Sequence, residues 1–262
     1  MAAKTFRATL LLLLCISAQL FAQDPLRTVH VFVALADNAN QGIVPVPARL
    51  GNGEDPGHNL YWGAAGGVNT FFSRSSDWKL LSCKLPTKNE VLERCVFKYR
   101  IKNVYLIADA YRGREIQTAM LDFLDSAAGV SKEQIEIQDA GVRTILAIRG
   151  GSQIVVYVGH DGLMDAPLPR IPQQKDHTAR QAIILACASK QYFSNALKSS
   201  GAYPLLWTTN LMAPEAYTLK SALDGWILDD SDQQIRDRAA AAYDKYQKCG
   251  VRAARKLLVT GW

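Results

Sequence analysis

After its first 22 residues, the sequence lacks an apolar run long enough to form a transmembrane helix. It also lacks a C-x-x-C motif and a close pair of histidines, which are the usual marks of a zinc site. The positive charge excess is only +6, and the basic residues are not interleaved with aromatic residues as on nucleic-acid-binding surfaces. We therefore expect no stable membrane span, no metal or other cofactor, and no nucleic-acid partner.

The first 22 residues have the features of a signal peptide. Lys4 and Arg7 form a positive n-region, Leu10 begins a short apolar stretch, and Ala22 closes a small-residue cleavage site. We expect cleavage after Ala22 and export of residues 23–262 to the periplasm or the cell exterior. That length suits a single α/β domain with a full core, and the sequence leaves the oligomeric state open.

Four cysteines follow the signal peptide, and export makes disulfides possible for all of them. Cys83 and Cys95 flank a polar turn between two apolar segments, which indicates a hairpin that a disulfide can close. Cys187 has two interpretations: it is a reduced thiol kept for chemistry, or it pairs with Cys249. The sequence does not decide between them.

Short apolar segments alternate with amphipathic ones along the chain, without internal repeats or a domain-splitting linker. Strands are predicted at 29–35, 104–108, 154–158, 182–186 and 203–209. Helices are predicted at 60–72, 115–127, 140–149, 189–198 and 214–226, with a last helical region at 232–258. This alternation predicts the α/β class, with a mostly parallel central sheet between two helical layers.

Two of the predicted strands run directly into reactive side chains. The apolar run from Ile154 to Val158 leads to His160, and the run from Ala182 to Ala186 leads to Cys187. Because ligands bind outside the carboxyl ends of strands in open α/β sheets, we expect an imidazole and a thiol on one rim. A thiol with a base beside it is an activated nucleophile.

These two segments resemble the cysteine peptidases of the clan that includes caspases, legumains, gingipains and clostripain. In that clan one apolar strand ends in His-Gly and a later one ends in Ala-Cys. Here the segments read Val-Val-Tyr-Val-Gly-His-Asp-Gly, ending at Gly162, and Ile-Ile-Leu-Ala-Cys, ending at Cys187. Asp161 separates His160 from Gly162, and Leu185 stands where many members have an acidic residue or Gln. The order of strands and helices fits a caspase-like sandwich.

The resemblance implies a thiol protease acting on a peptide or protein substrate. Cys187 would attack the peptide carbonyl, and His160 would protonate the leaving amine. Backbone N–H groups of Cys187 and of the Asp161–Gly162 turn would hold the oxyanion. By position, the substrate-binding residues would follow the first strand and the strand after Cys187, and an acidic lining there would favour Arg or Lys; these residues are Asp37, Asn38, Thr208, Thr209 and Asn210.

Two other functions remain open. The protein could be a catalytically silent relative with the same fold that binds a peptide or a partner in the cell envelope. It could also be a metal-dependent hydrolase that uses Asp37, Asp109 and Asp161 together with His160, because each of these aspartates lies just beyond a predicted strand. The competing interpretation of these aspartates is that they cap the following turns and helices.

Overall fold

A computed structural model of the protein describes residues 24–262, so the predicted signal peptide lies outside the described residues. The strands are β1 (Arg27–Ala34), β2 (Trp78–Lys84), β3 (Val91–Tyr99), β4 (Val104–Tyr111), β5 (Lys132–Asp139), β6 (Val142–Arg149), β7 (Ile154–Val158), β8 (Gln181–Leu185), β9 (Tyr203–Thr208) and β10 (Leu258–Val259). The helices are α1 (Val68–Ser73), α2 (Ile116–Ala127), α3 (Ser189–Ser200), α4 (Ala216–Ile227), α5 (Asp232–Gln247) and α6 (Val251–Leu257).

The central sheet has eight strands, in the order β10-β9-β8-β7-β1-β4-β3-β2. Strands β4, β1, β7, β8 and β9 are mutually parallel, whereas β2, β3 and β10 extend the edges through antiparallel pairs. The prediction of an α/β protein with a mostly parallel sheet is confirmed. Numbered along the chain, the parallel strands follow the doubly wound order 2-1-3-4-5, whose crevice lies at the switch between β1 and β7.

Alternate side chains of the central strands fill two separate cores. Val31 and Val33 pack with residues of α1, α4 and α5 on one face of the sheet. Phe32, between them, packs with residues of α2 and α3 on the other face. A strand that is buried on both faces needs apolar residues at odd and even positions alike, which explains the continuous apolar runs in the sequence.

The helix predicted at 60–72 is wrong over most of its length, because turns occupy 60–67 and α1 begins only at Val68. The Asn59 side chain folds this segment against the end of β1, accepting from the Ala36 N–H at 3.0 Å and donating to the Ala36 carbonyl at 2.8 Å. Gly63 packs so closely on the Gly57 carbonyl that a Cβ would lie 2.2 Å from its oxygen. These tertiary contacts override the helical spacing.

The helix predicted at 140–149 is also wrong, since β5 and β6 form an antiparallel hairpin. Ala140 and Gly141 at its tip have φ of 50° and 83°, the left-handed pair that a tight hairpin turn needs. Leu146 and Ile148 face the central sheet and are fully buried. The last helical region divides into α5 and α6 around Gly250, where φ is 87°.

Cys83 and Cys95 lie opposite each other on β2 and β3, and their sulfurs are joined at 1.97 Å. Within residues 24–262, Cys187 and Cys249 are free thiols, so the alternative Cys187–Cys249 disulfide is not formed. In the same part of the chain, no helix combines the length and apolar character needed to cross a bilayer.

Candidate functional site

The sheet register brings His160 and Cys187 to equivalent positions. Val158 of β7 pairs with Leu185 of β8, and each reactive residue lies two positions beyond its member of that pair. The Gly159 N–H still donates to the Leu185 carbonyl at 3.2 Å, so the strands remain together past their last paired residues. Both side chains line one cavity of about 270 Å³ at the carboxyl edge of the sheet.

The Cys187 thiol is half-buried at the start of α3. Its sulfur accepts from the Met212 N–H at 3.4 Å. Burial raises the pKa of the thiol above its ordinary value; the Met212 N–H opposes this effect, and the charge of Asp161 adds to it. A thiol of this kind needs a nearby base to become a nucleophile at neutral pH.

His160 is held by a carboxylate that the sequence analysis did not assign to it. Its Nε2 lies 2.8 Å from Oδ2 of Asp165, and the same oxygen accepts from the Gly42 N–H at 3.0 Å. This contact leaves Nδ1 as the ring nitrogen without a protein partner among the described residues. Asp165 therefore fixes the imidazole and ties it to the loop that follows β1. The only sequence signal was a carboxylate five residues after the histidine.

The backbone around the two residues offers two N–H groups for an oxyanion. In the described part of the chain, the N–H groups of Cys187 and Asp161 donate to no protein acceptor. The Gly162 N–H, which was predicted to serve with them, instead donates to the His160 carbonyl at 3.1 Å. The Gly162 N–H is therefore already bonded within the turn after His160 and is not available to an oxyanion.

Asp161 is fully buried next to the catalytic candidates. Its Oδ1 accepts from the Leu163 N–H at 3.0 Å, whereas Oδ2 has no partner within residues 24–262. Burial raises the pKa of this carboxyl to about 7; the Leu163 N–H opposes the rise and the charge of Asp165 adds to it. Asp161 is therefore a buried acid that changes charge near neutral pH.

Asp37 and Asn38, predicted to bind substrate, stabilise the loop after β1 instead of lining the cavity. The Asp37 carboxylate accepts from the Ala39 N–H at 2.9 Å and from the Asn40 side chain at 2.8 Å. The Asn38 amide donates to the Val46 carbonyl at 2.8 Å and accepts from the Val46 N–H at 3.1 Å. For Asp37, the capping interpretation describes the geometry.

The residues predicted at the end of β9 and just beyond it also lie outside the cavity lining. Thr208 is fully buried, and its Oγ1 accepts from the Ser189 N–H at 3.1 Å. Thr209 donates to the backbone of α6 at 2.8 Å. The Asn210 carbonyl accepts from the Ala188 N–H at 2.9 Å, which fixes the turn directly after Cys187. The end of β9 therefore holds the backbone next to Cys187 in place. The residues that follow it, Leu211, Met212 and Pro214, line the cavity.

The side chains that do line the cavity beside His160 and Cys187 are mostly apolar. They come from the loops after β1, β7 and β9 and from the segment before α1: Ile43, Val44, Val46, Tyr61, Met164, Leu211, Met212 and Pro214. Among the described residues, no Asp, Glu, Lys or Arg contributes to this lining. The acidic lining expected from the sequence is absent there.

The aspartates considered as metal ligands do not converge with His160. Asp109 is fully buried between Arg94, at 2.6 Å, and His30, at 3.1 Å. Burial raises the pKa of Asp109, but the neighbouring His30 and Arg94 outweigh it and hold the pKa below its ordinary value. Within residues 24–262, the single group of three potential ligands with atoms within 4.8 Å of one another contains the two disulfide cysteines.

No protein-family model, curated protein or solved structure matches the chain. The doubly wound strand order is common to many α/β proteins and does not by itself indicate the caspase-like family.

Proposed function

We propose that the protein is an exported cysteine peptidase of caspase-like architecture that uses Cys187 as nucleophile and His160 as acid and base. The observation that carries the proposal is that the two side chains follow register-equivalent strand ends and line one cavity. A free thiol in that cavity, and an imidazole whose Nδ1 has no protein partner within residues 24–262, are the two groups that nucleophilic catalysis needs.

The reaction would proceed through a covalent acyl-enzyme. The thiol proton of Cys187 passes to Nδ1 of His160, and the sulfur bonds to the peptide carbonyl carbon. The N–H of Cys187 donates to the resulting oxyanion. His160 then protonates the departing amine as the C–N bond breaks, and a thioester remains. Water, deprotonated by His160, hydrolyses the thioester and restores the thiol.

Asp165 is the positioning residue in this scheme. Its Oδ2 accepts from Nε2–H of His160, which fixes the tautomer whose Nδ1 is free to accept the thiol proton. When His160 becomes protonated, the carboxylate also stabilises the imidazolium, as a carboxylate does for histidine bases generally.

Export is supported by two features of the chain. The leader pattern over residues 1–22 is typical of a signal peptide. The Cys83–Cys95 disulfide fits an oxidising compartment, where such bonds persist. Retention of a free Cys187 in that environment is consistent with a chemical role.

Iodoacetamide labelling, resolved for each cysteine by mass spectrometry, tests the dyad. We expect Cys187 to react faster than an ordinary buried thiol and to lose that advantage in His160→Ala. Cys249 is exposed and free, so it serves as an internal reference whose rate stays constant. His58→Ala, which removes an exposed histidine paired with Asp55, is the matched control.

The silent binding protein is the second candidate, favoured by the raised pKa of Cys187 and by the internal use of the Gly162 N–H. Slow labelling of Cys187 at the same rate in the wild type and in His160→Ala would select it and contradict the peptidase. Under the peptidase proposal, peptide hydrolysis is abolished by Cys187→Ser and is insensitive to chelators.

A further inference from the structure

The cavity beside Cys187 has a chemical character that limits what can occupy it. Its walls include apolar side chains from two loops. Ile43, Val44 and Val46 come from the loop after β1, and Leu211 and Met212 come from the loop after β9. A cavity needs about 10–15 Å³ to hold one water molecule, so about 270 Å³ has room for a large side chain and adjoining backbone.

The rim of this cavity exposes apolar side chains to solvent. Val44 is 86% exposed, Leu211 is 67% exposed and Met164 is 42% exposed. They come from three different loops yet flank the same opening. Exposed apolar residues gathered at one concave site, rather than scattered singly, mark a surface that binds an apolar group.

The aspartates of the loops around the cavity are already engaged or buried. Asp165 is bound to His160 and to the Gly42 N–H, and Asp37 is bound within its own turn. Asp161, directly after His160, is fully buried. Because the lining contains no Asp, Glu, Lys or Arg among the described residues, a charged substrate side chain that entered the cavity would lose water without meeting an oppositely charged side chain in the wall, which is unfavourable.

The occupant is defined by the position of the nucleophile. Because Cys187 and His160 are themselves part of the cavity wall, a residue whose carbonyl reaches the sulfur has this cavity beside its side chain. We propose, on the basis of the proposed peptidase function, that the enzyme selects substrates with a large aliphatic or thioether side chain, Leu or Met, on the acyl side of the scissile bond. This replaces the Arg or Lys preference expected from the sequence.

Peptidyl chloromethyl ketones that differ only in the residue next to the reactive group test this specificity. The Cys187 thiolate displaces chloride from the methylene carbon, forming a thioether and releasing chloride, so mass spectrometry reads the modified site directly. Since one methylene in an apolar pocket changes selectivity roughly 10- to 200-fold, we expect the Leu probe to react at least about tenfold faster than the Ala probe. We expect a similar advantage over the Arg and Asp probes.

A paired substitution locates the selectivity in the cavity wall. Val44→Asp places a carboxylate at the exposed rim, and we expect it to reduce the Leu-to-Arg rate ratio at least about threefold. Val142→Asp is the matched control, because Val142 is 63% exposed on β6 and does not line the cavity. This control should leave the ratio unchanged.

The possible failures separate the two proposals. Equal rates for the Leu, Ala and Arg probes, or a faster Arg or Asp probe, would overturn the apolar specificity; a faster Arg probe would indicate that the arginine stem lies along the wall with its charge in solvent. Absence of reaction with every peptidyl probe, while iodoacetamide labelling still depends on His160, would also overturn it and leave the dyad intact. Labelling that is independent of His160 would overturn the peptidase itself.

Discussion

Asp161 provides a test of the site that does not depend on finding a substrate. The residue is fully buried, and one carboxyl oxygen lacks a partner among the described residues. Its pKa is raised from 3.8 to about 7, chiefly by burial. Asp161→Asn keeps the size of the side chain and removes its ability to ionise.

The sign and size of the effect follow from proton linkage. Between pH 4 and 7 the folded protein holds a proton on Asp161 that the unfolded chain has largely released, so the free energy of unfolding falls as the pH rises. A pKa shift from 3.8 to about 7, at 1.36 kcal/mol per pKa unit, gives a loss of about 4 kcal/mol by pH 8. Below pH 4 the carboxyl is mostly neutral in both states and contributes little.

Urea unfolding at several pH values, followed by tryptophan fluorescence, measures this loss. The buried amide of Asp161→Asn also lacks a partner, which costs roughly 1–3 kcal/mol, but this penalty does not vary with pH. The difference in unfolding free energy, variant minus wild type, should therefore rise by about 4 kcal/mol from pH 4 to pH 8.

The control for this measurement is Asp229→Asn, because the Asp229 side chain is 72% exposed and its pair with Arg27 lies at the surface. Exposed pairs contribute about 1 kcal/mol or less, so its stability should follow the wild-type pH dependence closely. If the difference between Asp161→Asn and the wild type stays constant across the pH range, Asp161 is not a buried titrating acid, and its effect on the thiol must be abandoned.

Three further predictions follow. Asp165→Ala frees the imidazole ring, so iodoacetamide labelling of Cys187 should slow by roughly tenfold or more while Cys249 labelling stays constant; an unchanged rate at Cys187 would remove the positioning role. Serine at both Cys83 and Cys95 opens a short ring and should lower the free energy of unfolding by about 3 kcal/mol; denaturant midpoints that match the oxidised wild type would contradict this. Asp109→Asn removes the carboxylate that Arg94 and His30 share and leaves Arg94 with Glu133 as its remaining partner; it should cost roughly 1–3 kcal/mol in the same assay, without an effect on Cys187 labelling in the folded protein.

The central strands could be predicted because their burial leaves a direct mark on the sequence. Every residue of β4 and β7 is buried, and a strand covered on both faces needs an unbroken apolar run. The same reasoning identified the strand ends, and with them His160 and Cys187. Local patterns are sufficient here because burial on both faces requires an apolar run that lies within each strand's own residues.

Segments whose shape depends on distant contacts could not be predicted in this way. In the β5–β6 hairpin an apolar residue does not indicate a buried position, since Ile145 is 55% exposed while its neighbour Leu146 is fully buried. Its apolar residues also fit helical spacing, and the deciding feature is the left-handed pair at Ala140 and Gly141. The turns before α1 are fixed by Asn59, whose partner Ala36 lies 23 positions earlier in the chain.

The cavity wall shows why the substrate residues were harder to identify than the nucleophile. A polar residue just after a strand can contact a ligand directly, or it can stabilise a neighbouring loop that contacts the ligand. Its position in the sequence is the same in both cases. Asn38 does the second, since its amide holds Val46 through both backbone polar groups. This contact places Val46 and its neighbours against Cys187 and His160, so a polar strand end creates an apolar cavity. The apolar character of the cavity is consequently determined by loop residues, whose sequence shows no periodic pattern. These residues lie several positions away from the strand ends at which the sequence predicted the substrate-binding residues.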